Sequence, residues 1–223
     1  MSRTRPRRQV GATRAITQSI DWAPVRPAPT PYIPMPVAEP PPSVISPPLG
    51  GPGENGRVAG AARQADQEGR PEDAVALLDE GIRRVPDSVE LLVLRGSILG
   101  RQQRLAEAEA DLRRAIRLQP AHGQALLDLG LTLWRRGLAT QAAETLDRAA
   151  AHQPQNPVAF NYLAEALNQT GQAENAVVAL ERSLALDPRQ PRAYHLMGRA
   201  LDRLHRPEEA RVAYRRGQEL SAK

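Results

Sequence analysis

Residues 123–156 read GQALLDLGLTLWRRGLATQAAETLDRAAAHQPQN, and this stretch decides the fold. Ala125, Leu126, Leu129, Leu133 and Trp134 recur every three or four residues, the apolar stripe of a helix rather than the alternation of a strand. Gly137 follows, a residue able to take the left-handed conformation that ends a helix. A second apolar rhythm then runs through Ala142, Leu146 and Ala149 until Pro154 breaks it. The stretch is a helical hairpin.

The same layout recurs on both sides of it. Pro86, Pro120, Pro154 and Pro188 stand 34 residues apart, and cutting two residues after each gives blocks 55–88, 89–122, 123–156, 157–190 and 191–223. The eighth residues of these blocks are Ala62, Gly96, Gly130, Ala164 and Gly198. The eleventh are Ala65, Leu99, Leu133, Leu167 and Leu201. The twentieth are Ala74, Ala108, Ala142, Ala176 and Ala210, and the twenty-fourth Leu78, Leu112, Leu146, Leu180 and Tyr214. Small residues at fixed places let two helices approach closely while the large apolar ones fill the space around them. One supersecondary unit copied at this period implies a solenoid that displays a surface.

The block resembles the tetratricopeptide repeat, a helix–turn–helix unit of the same period. Block three matches at Leu126, Leu129, Gly130, Leu133, Ala142, Leu146, Ala149 and Pro154, and block four at Phe160, Leu163, Ala164, Leu167, Ala176, Leu180 and Pro188. Block five keeps Tyr194, Gly198, Ala210 and Tyr214 but stops before its proline. Block one departs most, with only small residues at Val58, Ala61, Ala62 and Ala65. The expected fold is therefore all-α: a right-handed superhelical solenoid of five helix pairs over residues 55–223. Gln218 in the last block stands where earlier blocks are apolar or small, and Arg211 and Arg215 add charge to the same helix, so the last second helix is expected to cap the array, with no catalytic domain beyond it.

The first 54 residues differ in kind. Thirteen of the 21 prolines lie in residues 1–52, and few large apolar side chains accompany them. Such a segment is expected to be disordered, since it cannot bury enough surface to offset its ordering entropy. Residues 50–56, GGPGENG, read as a flexible hinge into the repeats. Arg3, Arg5, Arg7, Arg8 and Arg14 account for the whole net charge of +5, because 25 basic side chains balance 25 acidic ones from residue 15 onward. That head is suited to an anionic lipid, a nucleic acid or an acidic protein surface, or is simply solvated. Its Arg-rich, acid-poor run to Ile20 resembles an organellar transit peptide with a meagre apolar face. Pro24–Pro27 and Pro31–Pro34 have the spacing of a proline-helix ligand, or of a passive spacer. The chain has no cysteine, which fits a cytoplasmic setting, and nothing in it reads as a secretory signal or a membrane span.

Catalytic constellations are not legible. His122, His152, His195 and His205 have no metal-site spacing, the glycine-rich run lacks the Gly-Lys-Ser/Thr of a phosphate cradle, and no serine sits in a nucleophile elbow. No enzymatic activity, cofactor or metal is expected. What the resemblance implies is a concave groove lined by first helices, with positions 2, 5, 9, 12 and 13 of each block facing it and gripping a partner protein's extended or helical peptide. Carried onto this chain, the groove residues are Leu131, Trp134 and Arg135 of block three, Asn161, Glu165 and Asn168 of block four, and Arg192, His195, Arg199 and Arg203 of block five.

Each has two readings. Leu131 and Trp134 either pack between neighbouring first helices or anchor a ligand. Asn161 and Asn168, seven apart on one helix face, either bind peptide backbone or are solvated. The arginine stripe either grips a carboxylate or acidic peptide, or is neutralised by Asp202 and other acids. The carboxylate clamp of one family subtype is not expected, because Val93, Ser97, Leu127 and Leu131 stand at its positions. The expected function is a non-enzymatic protein-interaction adaptor. Two alternatives stand beside it: an assembly factor docked to anionic membrane or nucleic acid through its N-terminal arginines, and a regulator whose own tail, with Trp22, Tyr32 or Ile33, occupies the groove.

Overall fold

In a computed structural model of the protein, residues 52–222 are described; the expectations for residues 1–51 lie outside that range. Ten helices follow one another: α1 (Pro52–Gln67), α2 (Pro71–Arg84), α3 (Val89–Arg101), α4 (Leu105–Leu118), α5 (Gly123–Arg135), α6 (Ala139–His152), α7 (Pro157–Gln169), α8 (Ala173–Leu186), α9 (Pro191–Arg203) and α10 (Pro207–Ser221). No strand occurs among the described residues. The helix pairs coincide with the sequence blocks from the second onward.

The first helix corrects the hinge expectation, because Gly53, Glu54, Asn55 and Gly56 are all helical. Their glycines disfavour helix, but Glu54 lies in the first turn, where the dipole favours a carboxylate, and reaches Arg84 of α2 at 3.2 Å. Burial of Ala59 and Ala62 further along the same helix also works against the local propensity.

All five turns within a pair close in the same way. A backbone bond runs back five residues from Arg70 to Ala65, Arg104 to Leu99, Leu138 to Leu133, Gln172 to Leu167 and Arg206 to Leu201. This geometry needs a positive φ one residue earlier. Glycine supplies it at Gly69, Gly137 and Gly171, while Gln103 (φ 64°) and His205 (φ 55°) adopt it without glycine. The first helices are capped by the last residue of the preceding block: Asn156 Oδ1 accepts from Val158 N–H at 3.0 Å, and His122 Nδ1 accepts from Ala125 N–H at 3.1 Å.

The core is one continuous seam. Ala74, Ala108, Ala142, Ala176 and Ala210 are at most 1 % exposed, and Leu78, Leu112, Leu146 and Leu180 are fully buried. Within a pair, the eighth residue meets the twenty-fourth so closely that a Cβ on Gly96 would come 2.7 Å from Leu112 Cγ, and one on Gly130 would overlap Leu146. Between pairs, each odd-numbered helix also touches the next odd-numbered one, whereas no two even-numbered helices touch among the described residues. Helices crowded on one side and separated on the other make a curved open array, with α1, α3, α5, α7 and α9 on its inner wall. The expected all-α solenoid is observed.

Candidate functional site

The inner wall is built from sequence positions that recur. Position 2 of α3 and α5 (Glu90, Gln124), position 6 (Leu94, Asp128) and position 9 of α3 (Ser97) line one cleft of about 700 Å³. Val93, Ser88, Val89, Gln119 and His122 complete it, with Arg63 and Asn55 from α1 and Asp87 at its rim. The apolar part is Val93 and Leu94. The rest is hydrogen-bonding or charged.

Charge in the cleft is mostly accounted for. Arg63 pairs with Glu90 at 2.9 Å, and Asp87 with Arg114 at 2.9 Å. Asp128 differs. Gln124 Nε2 donates to its Oδ1 at 2.9 Å, while its Oδ2 is buried and makes no hydrogen bond. The nearest cations are committed elsewhere, Arg101 to Asp66 and Arg135 to the Gly100 carbonyl at 2.6 Å. Burial therefore pushes the Asp128 carboxyl up to about 6, with Gln124, Ser97, Arg101 and Arg135 offsetting only part of it.

This has a measurable consequence. A carboxyl that ionises near 6 when folded, but near its ordinary ~3.9 when unfolded, holds its proton longer in the folded chain. Its contribution to stability is greatest below about pH 4 and is lost as pH rises through about 6. Asp128→Asn is expected to stabilise the protein by about 1–3 kcal/mol near pH 8 and to give no gain near pH 4. Urea titrations of both proteins at the two pH values read this directly; identical pH profiles would mean that Asp128 ionises normally.

The residues expected from the sequence to form the groove mostly hold first helices to one another. Asn168 is a correction: it is 1 % exposed and its amide donates to the Leu196 carbonyl at 3.5 Å, so it cannot share a peptide backbone with Asn161. Asn161 itself donates to Gln190 Oε1 at 2.5 Å. Arg135 is the staple from α5 to α3 already named. Trp134 is half-buried with its ring 6.2 Å from Tyr162, and its Nε1–H is buried without an acceptor. Arg192 lies 5.3 Å over the opposite neighbour of that pair, the Tyr162 ring, and bonds Glu165 at 2.5 Å, so it is not an unpaired arginine. Leu131 is half-buried against the core.

His195 turns toward α10, its ring 6.0 Å from Tyr214 and against Gly217. Asp202 accepts from the Tyr214 hydroxyl at 2.7 Å, and burial together with that bond pushes the phenol up to about 12. Arg199 and Arg203 are exposed, with no ion-pair partner among the described residues. The inner wall thus carries an incompletely compensated carboxylate in α5 and two free cations in α9. Leu94, Asp128 and Tyr162 were missed by sequence reasoning because position 6 was not counted as groove-facing. A lone acid inside the apolar run LLDLG was the available signal.

Among the described residues no helix is long and apolar enough to cross a membrane, and no three ligand-type side chains cluster as a metal site would require. Arg3, Arg5, Arg7, Arg8, Arg14, Trp22, Tyr32 and Ile33 lie outside the described residues.

A family model described as the tetratricopeptide repeat matches residues 59–122, 94–157 and 127–191, and a second such model matches residues 191–223. MamA from residue 41 to its end, from Desulfovibrio magneticus RS-1, is 21% identical over 76% of this chain and 96% of its own, at a TM-score of 0.70. YrrB, a repeat protein with a peptide-binding site described as unusual, is 17% identical over 74% of this chain and 86% of its own, at a TM-score of 0.66. At such identities the likeness is one of fold. No curated protein matches the sequence. With repeat models covering residues 59–223 in phase with its helix pairs, the chain belongs to the tetratricopeptide repeat family.

Proposed function

We propose that the protein is a non-enzymatic interaction scaffold that holds a partner's peptide along its inner wall. The observation that carries this reading is the open cleft between α3 and α5, in which Val93 and Leu94 lie beside polar groups able to bind a peptide backbone. Solenoid binders distribute contact over several repeats, so continuation of the same face to Val158, Arg199 and Arg203 supplies further contacts. Val158 is 44% exposed and stands in the register of Glu90 and Gln124. A cytoplasmic setting goes with this reading, since a chain without cysteine needs no oxidising compartment.

Site-specific photocrosslinking separates the inner wall from the outer. A photoreactive residue at Ser97 or Val158 is expected to trap a partner in the producing cells. The same residue at Val178 or Val212, two exposed valines of α8 and α10, is expected not to. Trapping from the outer positions alone would end the inner-wall reading.

A further inference from the structure

The cleft between α3 and α5 carries one charge that the fold neutralises only in part. Its apolar floor, Val93 and Leu94, would accept an aliphatic or aromatic side chain, but that alone names no partner. The carboxylates do. Asp87, Glu90 and Asp128 line the cleft against the single cation Arg63, which Glu90 already occupies. Asp87 lies at the rim and is held by Arg114. Asp128 remains, with Oδ2 buried and unbonded and with neutral groups alone beside its carboxyl, the Gln124 amide on Oδ1 and the Ser97 hydroxyl. Gln124 is exposed, so an incoming group can displace its amide at small cost. Exchanging a neutral donor for a charged one on a largely buried carboxylate strengthens the bond and supplies the missing countercharge.

We propose that a lysine or arginine side chain of a partner peptide replaces the Gln124 amide on Asp128, while an apolar neighbour of that residue packs on Val93 and Leu94. This rests on the inner-wall reading above and adds the chemistry of the ligand. An acidic peptide is disfavoured here, because Glu90 and Asp128 would repel it. The groups facing Asp128 are Gln124 and Arg135 on its own helix and Ser97 and Arg101 on α3, with His122 lining the same cleft. Arg101 is paired with Asp66, Arg135 donates to the neutral Gly100 carbonyl rather than to Asp128, and His122 Nδ1 accepts from Ala125 N–H. None of these takes the partner's place.

The test uses the full chain and a randomised peptide library displayed on phage. Selection near neutral pH is expected to enrich lysine or arginine beside an apolar residue. A selected peptide should bind Asp128→Asn about tenfold more weakly or worse, the loss of one charge-assisted hydrogen bond. Its affinity for the unsubstituted chain should fall about tenfold between roughly pH 7.5 and pH 5 as the carboxylate takes up a proton, while affinity for Asp128→Asn stays flat. The pH series on the unsubstituted chain does not depend on any variant folding. Enrichment of acidic peptides, or equal binding to Asp128→Asn, overturns the role of Asp128. If those same peptides are released by Arg199→Glu/Arg203→Glu, the inner-wall reading survives that result. If the selected peptides are insensitive to both sets of substitutions, or none is selected, both proposals fall.

Discussion

Arg95→Met is expected to destabilise the protein by about 2–4 kcal/mol, although the exchange keeps most of the side-chain volume. From α3, Arg95 donates Nε and Nη2 to the two oxygens of Asp111 on α4 at 2.7 and 2.6 Å, and Nη1 to Asp79 on α2 at 2.6 Å. Three helices from two repeats are joined through one guanidinium. The Asp111 side chain is only 8 % exposed, so removing its partner leaves a charge that water cannot reach well. The converse Arg95→Met/Asp111→Leu pair removes both charges and should recover most of the loss. Asp79→Ala should cost under about 1 kcal/mol, because that carboxylate is half-exposed and screened. Urea denaturation of the unsubstituted protein, the single variants Arg95→Met and Asp111→Leu, and the double variant completes the cycle. If the double substitution is as unstable as Arg95→Met, the loss comes from packing around residue 95 and not from a stranded carboxylate.

Leu146→Ala should be the other large loss, about 2–5 kcal/mol. Leu146 is fully buried at the centre of the array, where its side chain covers the backbone of Gly130. Each pair contacts only its neighbours along the chain, so weakening the middle one also uncouples the two ends. The change further reverses the effect of a second substitution. Gly130→Ala alone should cost about 1 kcal/mol or more, because the new Cβ overlaps Leu146. Beside Leu146→Ala the clash is gone, and the same exchange should stabilise by up to about 1 kcal/mol through helix propensity and cavity filling. Melts of the two single variants and the double variant read that sign change. A Gly130→Ala effect of the same sign in both backgrounds would show that the contact does not limit packing.

The fold was legible because its determinants are short-range and repeated. Leu126, Leu129 and Leu133 mark a helix within three turns, and Gly130 opposite Leu146 is written again as Gly96 opposite Leu112. Where one block is ambiguous, four others correct it. Gln103 and His205 show the same averaging in reverse: both take a left-handed backbone that their side chains disfavour, because the turn is set by the helices on either side. Gly53–Gly56 had no such copies to consult. Their helix runs on into Ala59 and Ala62, which are fully buried in the array, a support that no local pattern shows.

The groove was legible only as a face. Its helices were correctly placed, but the state of each polar side chain rests on a partner about one repeat distant. Asn161 finds Gln190, Arg135 finds the Gly100 carbonyl, Asn168 finds the Leu196 carbonyl and Arg192 finds Glu165. Groove position says where a residue stands and nothing about whether its hydrogen bonds are already spent. Asp128, by contrast, stands inside the apolar run LLDLG, but its partly unpaired state depends on Ser97 and Arg101 of the preceding repeat.

The amino-acid order by itself determined the period, the nine helices from α2 onward with their turns, and the small-to-large contacts that stack them, because all of these follow from spacing along one chain. Only the packed array decided which inner-wall groups are spent holding repeats together and which remain free. Burial and pairing are properties of neighbours brought together in space, and a carboxylate such as Asp128 acquires its chemistry only when they close around it.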